Sequence, residues 1–157
     1  MTGSAPASRA ALAALTAYMA KTLAFIFGII LILLGLLGFV NNPLIGAGAL
    51  FATDAMFSVI FIILGALLII VALRSGGNSA LWLKIVGAIL FLLGFIGAFT
   101  VPSAGGTVLG IAYANGATNW LNLVAGIAVF VAGMYGREGA GAALPPQSAP
   151  PPQQPMR

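Results

Sequence analysis

Four runs of about twenty apolar residues, over 22–40, 55–73, 81–99 and 119–135, leave this chain few ways to fold. At 1.5 Å per residue, a helix formed by each run crosses a hydrocarbon layer of about 30 Å. The first run is almost unbroken Leu, Ile and Phe, side chains that each favour insertion by roughly 0.3–0.6 kcal/mol. The fourth is the poorest. Asn119 and Asn122 sit in its opening turns and Ala and Gly fill much of the rest, so it needs its neighbours to sit stably in lipid.

Charge argues the same way. Of 157 residues only 5% are charged and 61% are hydrophobic, against about 25% charged in soluble domains. Six cations and two acids cannot cover a water-facing surface. The expected fold is therefore an all-α integral membrane four-helix bundle. The cations are ordered along the chain. Arg9 and Lys21 precede the first run, Arg74 and Lys84 flank the link between the second and third, and Arg137 and Arg157 follow the fourth. The links over 41–53 and 100–118 hold no Lys or Arg. The positive-inside rule then puts both termini and the middle link on the cytoplasmic side of a bacterial inner membrane. Tyr18, Trp82 and Tyr135 fall near the inner boundary and Trp120 near the outer one. Since the basic residues are dispersed, the formal charge of +4 marks topology, with no nucleic-acid partner.

The bundle is expected to occupy 21–136. Residues 1–20 read as a cytoplasmic helix leading into the first span, because their apolar run is Ala-dominated where an export signal would be Leu-rich. Residues 137–157 hold six of the nine prolines, and such a Pro/Gln-rich cytoplasmic tail is expected to be disordered.

The chain also repeats itself. Shifting the first run by 59 positions lays Gly28 on Gly87, Gly35 on Gly94, Gly38 on Gly97 and Pro43 on Pro102, among nine identities from Ile26 to Pro43. A shift of 61 then lays Asp54 on Asn115, Ser58 on Asn119, Phe61 on Asn122 and Gly65 on Gly126. Repeat one (22–73) and repeat two (81–136) each read as a helical hairpin entering from the cytoplasm. Two such copies imply a pseudo-twofold axis along the membrane normal. Gly28 and Gly35, Gly87 and Gly94, and Gly126 and Gly133 are each seven residues apart, as are Gly65 and Ala72. Seven residues is close to two turns, so each pair shares one face and marks a seam where backbones can approach.

Few groups remain for chemistry. Without Cys or His there are no disulfides, thiolates, imidazole ligands or Ser-His-Asp triads. Asp54 and Glu138 fall on opposite sides of the membrane by this topology, which excludes paired-carboxylate catalysis. No metal site or cofactor is implied, and the chain reads as a non-enzyme. Ser79 and Lys84 are spaced as a Ser–Lys pair could be, but Lys84 reads better as a boundary anchor. One polar constellation stands out. Asn115, Asn119 and Asn122 lie on one face of the fourth helix if it begins early, and Asp54 and Ser58 form the matching stripe in the second. They read as interhelical hydrogen bonds or as a small polar vestibule at the outer mouth. The outer links are apolar for loops, with Leu44, Ile45, Leu50, Phe51, Val108, Leu109, Ile111 and Tyr113. These are expected to fold over the mouth, lie in the interface or meet a partner.

A glycine-rich hairpin present twice with both termini inside resembles the small bacterial four-helix membrane proteins of an uncharacterised domain-of-unknown-function family. The second and fourth helices of that family open on a pattern like D-N-x-L-H-L-x-x-G. N-W-L-N-L-V-A-G at 119–126 is similar, with Asn122 where the His would lie, whereas S-V-I-F-I-I-L-G at 58–65 has Phe61 there. The resemblance covers about 21–136 and implies a fold but no activity. The expected role is a structural or accessory subunit that packs in the bilayer against itself, as a homo-oligomer, or against a larger assembly. The alternative is a minimal transporter or channel for a small solute or ion.

Overall fold

A computed structural model of the chain describes residues 5–74 and 78–135. Arg137, Glu138, Arg157 and the tail expected over 137–157 lie outside these residues. Helix α1 (Ala5–Leu37) is one continuous rod, followed by α2 (Ala55–Leu73), α3 (Ser79–Thr100) and α4 (Gly116–Tyr135). All four are long and apolar enough to cross a membrane, so the protein is a multi-pass, helical membrane protein. The α1–α2 link carries β1 (Ile45–Gly46) and β2 (Phe51–Ala52), paired in parallel. The α3–α4 link carries β3 (Gly106–Val108) and β4 (Ala112–Ala114), an antiparallel hairpin.

Two boundaries differ from the hydropathy pattern, each for a local reason. Helix α1 stops at Leu37, short of Val40, where the Asn42 amide takes the Leu37 carbonyl at 2.8 Å and Pro43 follows without an N–H to offer. Helix α4 begins at Gly116, three residues before Asn119, because the Asn115 side chain caps its first turn.

The helices pair as two hairpins, α1 on α2 and α3 on α4, and glycine sets how close they come. A Cβ added to Gly65 would lie 2.6 Å from the Gly28 carbonyl oxygen, and one on Gly28 would lie 2.8 Å from that of Gly65. Gly87 and Gly126 stand in the same relation, each Cβ falling 2.8 Å from the other's carbonyl. One turn-pair further on, Gly35 abuts the Ser58 carbonyl and Gly94 the Asn119 carbonyl, both at 2.6 Å. Gly133 sits 2.8 Å from the carbonyl of Ala80 by the same measure. Side chains cannot be accommodated at such distances, so both hairpins are backbone-to-backbone contacts.

Between the hairpins lies an apolar core. Leu31, Phe57, Phe61, Leu64 and Leu68 face Leu83, Val86, Leu90 and Val129, all buried. The Phe57 and Phe61 rings meet tilted, with centroids 5.5 Å apart. The periphery is equally apolar but open, with Leu33, Ile63, Leu92, Val124 and Met134 exposed, as expected of side chains that lipid solvates.

The two links close over one end of the bundle. Ile45, Ala52, Val108, Ala112 and Ala114 are buried there, while Leu44, Leu50, Leu109 and Ile111 point away. At the β3–β4 turn Ile111 N–H donates to the Val108 carbonyl at 3.0 Å, and Leu109 (φ 54°) and Gly110 (φ 70°) both adopt the left-handed conformation. That turn matches the twist of a two-stranded hairpin, although a leucine there carries strain that Gly110 does not.

Gly65→Ala and Gly126→Ala are each expected to lower stability by roughly 1–3 kcal/mol, because a backbone rather than a flexible side chain must yield. Val124→Ala on the open face should stay within about 0.5 kcal/mol. Thermal unfolding in mild detergent measures all three, and equal effects would remove the glycine contact as the organising feature.

Candidate functional site

The polar residues of the expected constellation gather at the capped end, where α2 and α4 begin. The first turn of a helix presents N–H groups with no partner inside it. Asp54 caps α2: one carboxylate oxygen accepts from Phe57 N–H at 2.9 Å. Its other oxygen accepts from Tyr113 N–H in the opposite link at 3.0 Å. Asn115 does the equivalent for α4. Its Oδ1 accepts from Thr118 N–H at 2.9 Å and from Ala52 N–H at 3.3 Å, and its Nδ2 donates to the Leu50 carbonyl at 3.0 Å. Each cap thus reaches the backbone N–H two residues ahead of the other cap. Between these crossed bonds, Thr53 and Ala114 form an isolated antiparallel bridge.

Two residues that the sequence reading passed over complete the junction. The Thr118 hydroxyl, fully buried, lies 2.9 Å from both the Ala52 carbonyl and Asn115 Oδ1. Asn42 organises the α1–α2 link. Its Nδ2 lies within 2.9 Å of the Leu37, Val40 and Ile45 carbonyls, and its Oδ1 accepts from Leu44 and Ile45 N–H, both at 2.9 Å. The signal for Asn42 was present as N-N-P, a turn-forming cluster at the end of an apolar run. For Thr118 there was none, since its partner lies in the other repeat.

Below the caps the two hairpins diverge. Ser58, buried, donates its hydroxyl to the Asp54 carbonyl one turn back at 3.0 Å and rests against Gly38. At the matching place in α4, Asn119 rests against Gly97, but neither Nδ2 nor Oδ1 of its side chain has a hydrogen-bond partner among the described residues. Asn122, one turn deeper and 1% exposed, has an unpartnered Nδ2. Asn119 is itself 0% exposed. These three atoms lie in the interior at a cost of about 1–3 kcal/mol for each unsatisfied group. The sequence brings Asp54, Ser58, Asn115, Asn119 and Asn122 to one end. The structure makes Asp54, Ser58 and Asn115 hydrogen-bonded and leaves the Asn119 amide and the Asn122 Nδ2 without a partner among the described residues.

Between Asn122 and Ser79, at the opposite end, the bundle interior is apolar among the described residues. A shallow groove on the α3–α4 flank is lined by Ala88, Phe91, Leu92, Gly126, Ile127, Phe130 and Val131, with no side chain that could orient a polar ligand. No family model, curated protein or solved structure matches the chain.

Asp54→Ala, which removes the cap and the bond to Tyr113, is expected to cost about 1–2 kcal/mol. Asp54→Asn should cost less than half of that, since Asn115 performs the same task in α4. Chemical or thermal unfolding of the two variants in detergent gives the comparison. Asn122→Leu replaces an amide whose nitrogen is unpartnered by an apolar side chain of similar size, and stability should hold or rise by about 1 kcal/mol. A clear fall in the same assay would show that the amide has a partner.

Proposed function

We propose that this chain is a structural or accessory subunit of a bacterial inner-membrane assembly. In this reading it has both termini in the cytoplasm and packs against itself or a larger complex, and it is neither an enzyme nor a solute path. The proposal keeps the build of the uncharacterised four-helix family that it resembles, with its hairpins related by a pseudo-twofold axis along the membrane normal. Supporting that symmetry are the paired glycine contacts Gly28–Gly65 and Gly87–Gly126 and the crossed caps Asp54–Tyr113 and Asn115–Ala52. Tyr113 stands 61 positions after Ala52, and Ala114 stands 61 after its bridge partner Thr53.

One observation carries the functional reading. From the capped end inward, no buried polar side chain follows Asn122 until Ser79 at the opposite end of the bundle, and between them Leu68, Leu83, Val86, Leu90 and Val129 fill the described interior with almost no exposure. A hydrated ion or polar solute would have to part that layer. Outside it, apolar side chains cover the flanks and the links, which suits a protein surrounded by lipid and other helices.

Proteoliposomes holding the purified protein should pass ions and small neutral solutes no faster than empty liposomes. Flux above that background, lost in Asn122→Leu while the protein remains folded, would establish the transporter alternative and end the structural reading.

A further inference from the structure

Resting on that structural reading, we infer that α1 is the interaction surface and that its partner is the α1 of a second copy of this chain, parallel and in register. The inference starts from length. Gly28 touches Gly65 and Ile69 of α2, and Gly35 touches Ser58 and Ile62. Seven residues along α1 therefore match seven residues back along α2, and the end of α2 at Leu73 lies level with about Thr22. Residues 5–20 of α1 thus reach past α2 by sixteen residues, or about 24 Å. The corresponding helix of the second hairpin, α3, starts at Ser79 and has no such extension.

The extension is not polar. Leu12 is 62% exposed, Leu15 56%, Tyr18 69% and Met19 48%. Leu12, Leu15 and Met19 begin a series that continues without a break through Thr22, Ile26, Ile29, Leu33 and Leu36, all exposed. The alternating three- and four-residue steps are those of the inner positions of a coiled coil. The seam lies opposite the bundle, because Ala20, Ala24 and Leu31, on the other side of the helix, are the buried apolar side chains of α1.

Within the bilayer an exposed apolar face needs only lipid. Leu12 and Leu15 stand about 10–15 Å past the level of Arg74, the charged residue that ends α2, and a partner that covers them must continue along the same stripe into the membrane. Such a partner crosses the bilayer in the same direction and projects at the same end by the same length. Another copy of α1 meets all of these conditions. A twofold axis along the membrane normal sets each stripe on its own equivalent. Lys21, the charge closest to the stripe among the described side chains, lies off it, so the pairing brings no two like charges together. Eight side chains of this size remove roughly 600–800 Å² per partner, near the ~800 Å² of a stable interface.

The absence of cysteine makes the test clean. Single substitutions Leu12→Cys, Leu15→Cys and Met19→Cys are placed on the stripe, with Ala14→Cys and Ala17→Cys off it on the same segment. In native membranes treated with a short bis-maleimide, the stripe positions should give at least tenfold more covalent dimer than the other two. Equal yield at all five positions, no dimer at any, or linkage to a different protein would overturn the inference. Because Leu12 and Leu15 are exposed on the part of α1 that reaches past α2, the double variant Leu12→Glu/Leu15→Glu should keep its fold and shift the detergent-solubilised protein from dimer to monomer mass. An unchanged dimer would also overturn it. Liposome flux is read separately: a dimer that conducts removes the structural reading alone, and a non-conducting monomer removes the dimer alone.

Discussion

Helices in lipid gain little from burying apolar side chains against each other, because the surrounding acyl chains are as apolar as the partner. What holds these hairpins is contact between backbones, made where Gly28 meets Gly65 and Gly87 meets Gly126. The rest of the arrangement follows from those two points. They set the depth of α2 against α1 and of α4 against α3, and so decide which residues arrive together at the capped end. With both N-termini at one level, Asp54 can reach the link that belongs to α4 and Asn115 the link that belongs to α2. The core of Phe57, Phe61, Leu68, Leu83 and Leu90 is then a consequence of how the glycine contacts position the hairpins.

The caps have a double role. A carboxylate or amide at a helix start meets donors that the helix itself cannot satisfy, and here each also pins the opposite link. This economy explains why links as apolar as these can be ordered: their backbone groups are claimed by Asp54, Asn115, Thr118 and Asn42. Ser58 and Asn119 show where the two hairpins part. Serine is short enough to bond its own preceding turn, whereas the longer asparagine amide is carried past that carbonyl to the surface of Gly97. Phe61 and Asn122 differ more sharply, an aromatic ring in one hairpin and an amide in the other, both buried.

Much of this was legible in the chain. Four helices follow from the apolar runs because a backbone in lipid must satisfy its own hydrogen bonds. The seven-residue glycine spacing marked the seams because small residues at two-turn intervals share a face. The cluster of Asp54, Ser58, Asn115, Asn119 and Asn122 could be placed at one end from position alone. Its chemistry was not legible. Whether an amide caps a helix, pins a link or is left without a partner depends on what lies across from it. For Asn115 those partners are Ala52 and Leu50, more than sixty positions away. The early start of α4 and the division of the links into buried Ile45 and Val108 and exposed Leu44 and Leu109 likewise depend on that junction.

The sequence by itself determined that this protein has four helices able to cross a membrane and that it holds few charges and neither Cys nor His, because both follow from which side chains exist. Only the tertiary structure decided what the few polar groups do and how far α1 stands clear of its partner helix. Both depend on register, and register is set by glycine contacts between helices rather than within them. The scarcity of charge therefore fixes the solvent in which the chain can fold, and the close approach of two pairs of backbones fixes everything that is built inside it.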